Sequence, residues 1–312
     1  RTPSIGSGSG SGGATQSNFT ASVEGADLII DEPMTNITFQ YNASAVSGSG
    51  SGSSSSSSFA YANNKLSAGS YHTCAILDNG DLKCWGADAQ GQLGDGGSYT
   101  NTNAPSSTAI DLGTGRTAVA MDAHRYHICA VLDNGDVKCW GNDQFGQLGD
   151  GGPLWTSGSQ TNLNVPSSTA IDLGTGRTAV AVATGNHFSC ALLDNGDVKC
   201  WGRDNNGQLG NGGTITADQN SPPSTAIDLG TGRTAVGLDG GEDHVCAILD
   251  NGDMMCWGYN HVGQLGDGGS NTDQASPVAV SGSNTWNSST GLSSPMTDVT
   301  GATCTVSPSL PT

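Results

Sequence analysis

Basic residues are scarce in this sequence. Ten Lys and Arg stand against 28 Asp and Glu, and charged residues make up only 12% of 312 positions, for a formal net charge of −18. Six of the ten (Lys83, Lys138, Lys199, Arg116, Arg177 and Arg233) fall within repeated motifs, which leaves Arg1, Lys65, Arg125 and Arg203 free to vary. Nucleic acid, whose binding needs clustered Lys and Arg, is therefore not an expected partner. Large apolar residues are few as well: aromatics reach 5%, and Leu, Ile, Val and Phe together number 52 of 312. That is below the roughly one-fifth under which a highly charged chain is expected to stay disordered. No apolar run approaches the ~18–20 residues that span a bilayer, so membrane insertion is not expected either. The sequence begins at Arg1 without a Met or signal peptide, and reads as a chain whose leader was removed or as a piece of something longer.

Glycine is abundant, at 48 residues, and internal repetition overturns the disorder that composition implies. A hairpin motif recurs four times: C-A-I-L-D-N-G-D-L-K-C-W-G from Cys74, C-A-V-L-D-N-G-D-V-K-C-W-G from Cys129, C-A-L-L-D-N-G-D-V-K-C-W-G from Cys190 and C-A-I-L-D-N-G-D-M-M-C-W-G from Cys246. G-Q-L-G follows each, at Gly91, Gly146, Gly207 and Gly263, and A-I-D-L-G-T-G-R-T-A-V recurs unchanged from Ala109, Ala170 and Ala226. A period of this size indicates propeller blades or a solenoid. Within one unit, Ala-Ile-Asp-Leu reads as a short strand and Thr-Ala-Val-Ala-Val as a second. The stretch around Cys190-Ala-Leu-Leu gives a third, and Asp197-Val-Lys-Cys-Trp a fourth. Asp-Asn-Gly between the last two is a hairpin turn, with Gly supplying the positive φ. The fold class is all-β, with about four four-stranded propeller-type blades and short N- and C-terminal β extensions.

These motifs, C-W-G followed at short distance by G-Q-L-G above all, resemble the regulator of chromosome condensation repeat family in its cysteine-containing secreted form. The resemblance covers about residues 62–280. It implies a propeller, usually of seven blades, in a family that includes a nuclear exchange factor and a secreted bacterial beta-lactamase inhibitor. This chain offers four copies. The first copy lacks a preceding Ala-Ile-Asp-Leu, and a spare strand, Pro277-Val-Ala-Val280, follows the fourth. That strand could complete the first blade and close a small ring, could complete a neighbouring molecule, or could leave an open arc.

Around the repeats the organisation reads as follows: 1–13 a Ser/Gly-rich linker, 14–46 a short β segment, 47–61 a second linker, 62–280 the repeats and 281–312 a C-terminal extension. Strands are expected over 26–30 and 35–41. The tail resembles the start of a bacterial immunoglobulin-like surface repeat.

Eight of the nine cysteines form pairs ten positions apart. A three-residue loop closed by a glycine bulge sets Leu77 against Asp81 and hence Cys74 against Cys84, at a non-hydrogen-bonded site where facing Cα atoms lie only ~4.5 Å apart. Cross-strand disulfides Cys74–Cys84, Cys129–Cys139, Cys190–Cys200 and Cys246–Cys256 are expected, each contributing roughly 3 kcal/mol by the chain-entropy model. Cys304 is left over. Zinc, which favours closely spaced Cys pairs, fits this spacing poorly. Disulfides imply an oxidising compartment, and the expected location is extracellular or the cell surface. Sequons at Asn18, Asn36, Asn42 and Asn287 lie outside the repeats and are candidate glycosylation sites.

Other motifs favour structural readings. G-x-G-x-x-A at Gly113 matches a dinucleotide fingerprint, but it opens a strand, so a turn is expected. His72, His127 and His244 precede the hairpin cysteine by two, where the third unit has Phe188, which points to packing. The acidic Gly-rich loops at Asp95, Asp150 and Asp267 are turn chemistry; no cofactor or metal is expected, calcium being the alternative weighed. Trp85, Trp140, Trp201 and Trp257 suit inter-blade packing.

A residue present in every unit serves the scaffold, so a single binding site must draw on positions where units differ. Tyr99, Phe145, Trp155, Arg203, Tyr259 and His261 are the partner-binding candidates, with His124 a further variable position. No nucleophile–base pair or paired carboxylate is unique to these positions, so no enzyme is expected. The leading expectation is a non-catalytic extracellular structural or interaction module, a cell-surface or filament-forming component paired strand to strand with other copies of itself or with neighbouring surface modules. The alternative is a secreted propeller that binds a protein or glycan through variable blade loops.

Overall fold

The computed structural model describes residues 21–24, 27–30, 65–154, 162–213 and 217–282. Strands β1 (Ala21–Glu24) and β2 (Asp27–Ile30) pair antiparallel, Ala21 opposite Ile30. The expected strand over 26–30 is thus present from Asp27; residues 35–41 lie outside the described residues.

The repeats lie in a separate compact unit, Ser58–Gly291. Its four antiparallel sheets are β3 (Leu66–Ala68), β4 (His72–Ile76) and β5 (Leu82–Gly86); β6 (Ala118–Ala123), β7 (His127–Leu132) and β8 (Val137–Gly141); β9 (Ala179–Thr184), β10 (Phe188–Leu193) and β11 (Val198–Gly202); and β12 (Ala235–Gly240), β13 (His244–Leu249), β14 (Met254–Gly258) and β15 (Gln274–Ala279). In the first hairpin the Leu77 N–H donates to the Asp81 carbonyl at 2.8 Å, and Gly80 closes the turn with φ +81°. That turn fixes the register, Cys74 facing Cys84, and the three other hairpins repeat it at Cys129/Cys139, Cys190/Cys200 and Cys246/Cys256. The four pairs are bridged, with Cα atoms 4.0–4.1 Å apart.

The structure corrects the phase of the repeat. Ala-Ile-Asp-Leu is not a regular strand and does not open the following blade. It runs beside the outer strand of the preceding one, where the Ile110 N–H donates to the Leu82 carbonyl at 2.9 Å. Ile171 does the same to Val137, and Ile227 to Val198. In the fourth blade the equivalent bond is Val280 N–H to the Met254 carbonyl, just past the end of a full strand, β15. The segment 277–280 therefore belongs to its own blade and is not a spare strand for the first blade or for a neighbour. Among the described residues the first three blades have three regular strands plus an isolated bridge (Gly86–Thr102, Gly141–Leu163, Gly202–Gln219), and only the fourth has four. The physical cause is composition: Pro, Ser and Asn in these outer segments leave few of the β-branched residues that hold a continuous ladder.

The blades pack in chain order, β3 against β6, β6 against β9, β9 against β12. Every residue of β7, β8, β10 and β11 is buried, whereas β3, β12 and β14 retain partly or fully exposed positions. Three apolar clusters fill the three gaps, each combining the cystine face of one blade with the Trp face of the next. Trp140, Trp201 and Trp257 are fully buried and donate Nε1–H to the carbonyls of Gln92, Gln147 and Gln208, at 3.2, 3.0 and 3.0 Å. Each indole lies against Gly94, Gly149 or Gly210 of the preceding blade, where a Cβ would collide with it. The Trp85 indole stays partly exposed and meets no acceptor among the described residues.

Trp140→Phe keeps an aromatic ring but leaves the buried Gln92 carbonyl without its indole donor, and is expected to cost about 1–2 kcal/mol in urea unfolding. Trp85→Phe is expected to cost close to nothing; equal losses at the two positions would contradict this packing scheme.

Candidate functional site

The turn between the first and second strands of each blade carries one residue in an equivalent place: Tyr71, Tyr126, His187 and Asp243. Each is followed by a residue that packs inward, and the first three of these are buried (His72, His127, Phe188), which fixes the turn. The carbonyls of these four turn residues accept the N–H of Ala87, Asn142, Arg203 and Tyr259, each at 2.9 Å. Those acceptors are the anchor. They tie the start of every variable segment after C-W-G to the same edge of its blade, so positions that differ between units share one rim.

On that rim the aromatic rings form a ladder. Tyr71 and Tyr126 stack with centroids 5.9 Å apart, Tyr126 and His187 follow at 6.3 Å, and Phe145 tilts against His187 at 4.7 Å. Two cations cover it: the Arg125 guanidinium lies 5.1 Å from the Tyr126 ring centre, and that of Arg203 lies 4.7 Å from Phe145. Tyr71 is 54% exposed at the end of the strip. Burial, with Arg203 and Arg125 beside it, holds the His187 pKa down to about 4, so this imidazole is neutral at physiological pH and stacks as an aromatic ring. Arg125 also approaches Glu242 at 3.8 Å. Burial, with Glu242 nearby, raises the Asp243 pKa, and its Oδ1 is enclosed without a hydrogen-bond partner among the described residues.

A polar layer supports the rim. The Asn142 amide donates to Gln90 Oε1 at 3.0 Å, Asn162 donates to the same oxygen at 2.7 Å, and Gln147 donates to Asn142 at 2.6 Å. Asp143 Oδ1 accepts the Leu148 N–H at 2.9 Å and caps the G-Q-L-G turn, as Asp88 and Asp204 do in their blades; Asn260 does so in the fourth, at 3.1 Å.

Of the expected contact residues, Phe145 and Arg203 come together on the strip. Tyr259 and His261 pair separately, centroids 4.5 Å apart, with His261 3.7 Å from Asp273. Tyr99 is 43% exposed, with a left-handed φ of +56°, and joins neither group. Trp155, the sequons Asn18, Asn36, Asn42 and Asn287, and Cys304 lie outside the described residues. His124 is partly buried, and burial lowers its pKa. His127 is fully buried, its Nε2 2.9 Å from Ser189 Oγ, which itself donates to the Gln147 carbonyl at 2.8 Å. Gly113 opens a turn, as the Arg116 N–H returns to its carbonyl at 3.1 Å before β6 begins. In the acidic loops Asp95, Asp150 and Asp267 accept the N–H two residues on, at 2.7, 2.8 and 3.0 Å. Tyr71, Arg125, Tyr126 and His187 are ladder members that sequence reasoning did not select. Their signal was present: the place before the inward-packing residue reads Tyr, Tyr, His, Asp, and so varies between units.

The model of the regulator of chromosome condensation (RCC1) repeat matches residues 64–92, 125–147, 179–208 and 236–264, and a second model of the same repeat matches 195–248. The chain carries RCC1 repeats. It is 32% identical over 217 residues to the ultraviolet-B receptor UVR8 of Arabidopsis thaliana, covering 69% of this chain and 45% of that protein. It is 30% identical over 217 residues to the human E3 ubiquitin-protein ligase HERC2, covering 70% of this chain and 4% of that protein. Among solved structures, human WBSCR16 matches with a TM-score of 0.59 and 25% identity, over 69% of this chain and 52% of that one. Prp20 of Saccharomyces cerevisiae matches with a TM-score of 0.56 and 21% identity, over 70% and 50%. The chain thus spans less than half the length of these curated relatives.

Burial raises the Asp143 pKa to about 7. Between the ordinary carboxylate range and that value the folded chain holds a proton that the unfolded chain has lost. The stability contributed by this group is therefore complete in acid and declines as pH rises through the interval. Asp143→Asn, which copies Asn260, is expected to stabilise the chain by on the order of 1 kcal/mol or more at pH about 8 and not at pH about 3. Denaturant midpoints across pH check this; a gain independent of pH would contradict it.

Proposed function

We propose that this RCC1-repeat chain is a non-catalytic protein-binding module, and that the strip of Tyr71, Tyr126, His187 and Phe145 with Arg125 and Arg203 is its contact surface. The observation that carries this reading is convergence. Two of the four basic residues outside the repeated motifs meet the variable aromatics on one rim of a chain whose net charge is −18. Such a strip suits a protein surface that offers an apolar patch beside a carboxylate, because Tyr and Arg supply amphipathic contact area at interfaces. Prp20 is described together with its binding to Gsp1p and histones. What is carried to this chain is the mode alone, a propeller meeting a protein. The cystine-bracketed hairpins favour an oxidising location, outside the cell or at its surface.

The test is affinity enrichment from the native surroundings of the protein, with wild type and a Phe145→Ala/Arg203→Ala variant compared at equal folded concentration. A partner retained by wild type is expected to fall at least about tenfold with the variant, the loss of a hot-spot pair. Undiminished capture would rule out the strip, and capture of glycan alone would replace protein with carbohydrate as the ligand. In the same preparation the eight paired cysteines are expected to resist thiol labelling; free thiols would contradict the oxidising location.

A further inference from the structure

At the joint between the third and fourth blades a cleft stands where the two preceding joints hold a lysine. The residue before the second cysteine of each hairpin reads Lys83, Lys138, Lys199 and then Met255. Lys138 and Lys199 are 8% and 6% exposed, and each lays its ammonium against the outer segment of the preceding blade. A Cβ on Gly113 would lie 3.5 Å from Lys138 Nζ, and one on Gly174 would lie 3.4 Å from Lys199 Nζ. Lys199 Nζ donates to the Leu173 carbonyl at 3.1 Å and reaches the Ser224 carbonyl of its own blade at 3.5 Å. The fourth blade meets the same frame without the cation. Leu229 and Gly230 stand in the places of Leu173 and Gly174, since Asp228 Oδ1 accepts the Gly230 N–H at 2.9 Å as Asp172 Oδ1 accepts that of Gly174 at 2.8 Å. Pro277 stands in the place of Ser224, because the Val280 N–H bonds to Met254 as the Ile227 N–H bonds to Val198. Among the described residues the Leu229 carbonyl accepts no hydrogen bond. A Cβ on Gly230 would meet only Arg233, which is held by Asp250 at 3.3 Å as Arg177 is held by Asp194 at 3.5 Å. Met255 packs against the apolar cluster of the joint, and the cleft beside it, of about 490 Å³, is walled by Pro223, Ile227, Asp228, Gly230, Met255 and Pro277 among others.

We propose that this cleft takes a primary ammonium on an alkyl stem, the side chain of a lysine from another polypeptide. The occupant is fixed by internal precedent: the cleft offers what Lys199 finds one joint earlier, apolar surface along which the methylenes lie and a backbone carbonyl that accepts from the ammonium. Asp228 adds a carboxylate to the wall, and a chain of net charge −18 draws cations toward it. The head group is an ammonium and not a guanidinium, because the place is one compact point charge wide and not shaped for a planar fork. None of the residues that wall the cleft belongs to the aromatic strip, so this site stands independently of the contact surface proposed above.

Amide NMR of the full chain at neutral pH, titrated with n-butylamine hydrochloride and with Nα-acetyl-lysine methylamide, tests this. Both are expected to shift the amides of Asp228, Leu229, Gly230 and Met255, with dissociation constants on the order of millimolar, as ligands of so few atoms allow. The Nε-acetylated lysine amide, which has lost the charge, and the matching arginine amide are expected to bind at least about tenfold more weakly. Met255→Lys supplies the cation from within and is expected to abolish the shifts, whereas Met255→Leu keeps the apolar wall and retains them. Absence of shifts in the wild type, equal binding of the uncharged analogue, or undiminished binding to a folded Met255→Lys chain would each overturn the proposal. Binding of n-butylamine without the lysine amide would replace the polypeptide with a free amine and overturn it too. The wild-type titrations decide the matter even where Met255→Lys does not fold.

Discussion

The joint between blades is the interaction on which the rest of this structure depends. A Trp side chain from one blade fills the space left by a glycine of the preceding one and donates to the carbonyl beside it. Gly94, Gly149 and Gly210 hold left-handed φ values that other residues adopt at a cost, and a side chain there would also collide with the indole. The G-Q-L-G motif therefore has a mechanical meaning: glycine makes the slot, Gln supplies the acceptor, and Leu (2%, 1% and 1% exposed at Leu93, Leu148 and Leu209) lines the cluster behind it. A blade alone buries one face at most. Its second face is covered only by a neighbour, as in other repeat architectures where stability is a sum over units and joints.

This explains how a chain so poor in large aliphatic residues builds a core. The few Leu, Ile, Val and Phe are concentrated at the joints, and cystine sulfurs, alanines and one buried indole per joint, none of which counts toward the total on which the disorder expectation rests, supply the rest of each cluster. The bridges also hold each hairpin in the register that aims its Trp at the slot. Local crosslink and long-range joint thus reinforce one another.

The hairpins, their register and the cysteine pairing were legible in the sequence because Asp-Asn-Gly dictates the turn and side chains alternate from it. The phase of the blade was not. Ala-Ile-Asp-Leu has strand-forming residues, but pairing direction is a tertiary property, and a single hydrogen bond from Ile110 to Leu82 assigns it to the preceding blade. The rim was half legible. Variation between units picked out Phe145 and Arg203, whereas Tyr71 and Tyr126 were passed over beside His72 and His127, the residues that read as packing. Which side of such a turn residue faces outward depends on the blade twist, which spacing alone does not reveal.

The account is tested most directly by native-state hydrogen exchange of the dilute chain, compared blade by blade. All four hairpins share the same bridge and turn, so any difference between them reports on neighbours. The amides of β7–β8 and β10–β11, flanked by a blade on both sides, are expected to exchange more slowly than those of β4–β5 and β13–β14, which have one neighbouring blade each among the described residues. Equal protection in all four hairpins, or slowest exchange at the ends, would contradict the claim that the inter-blade joint holds the structure together.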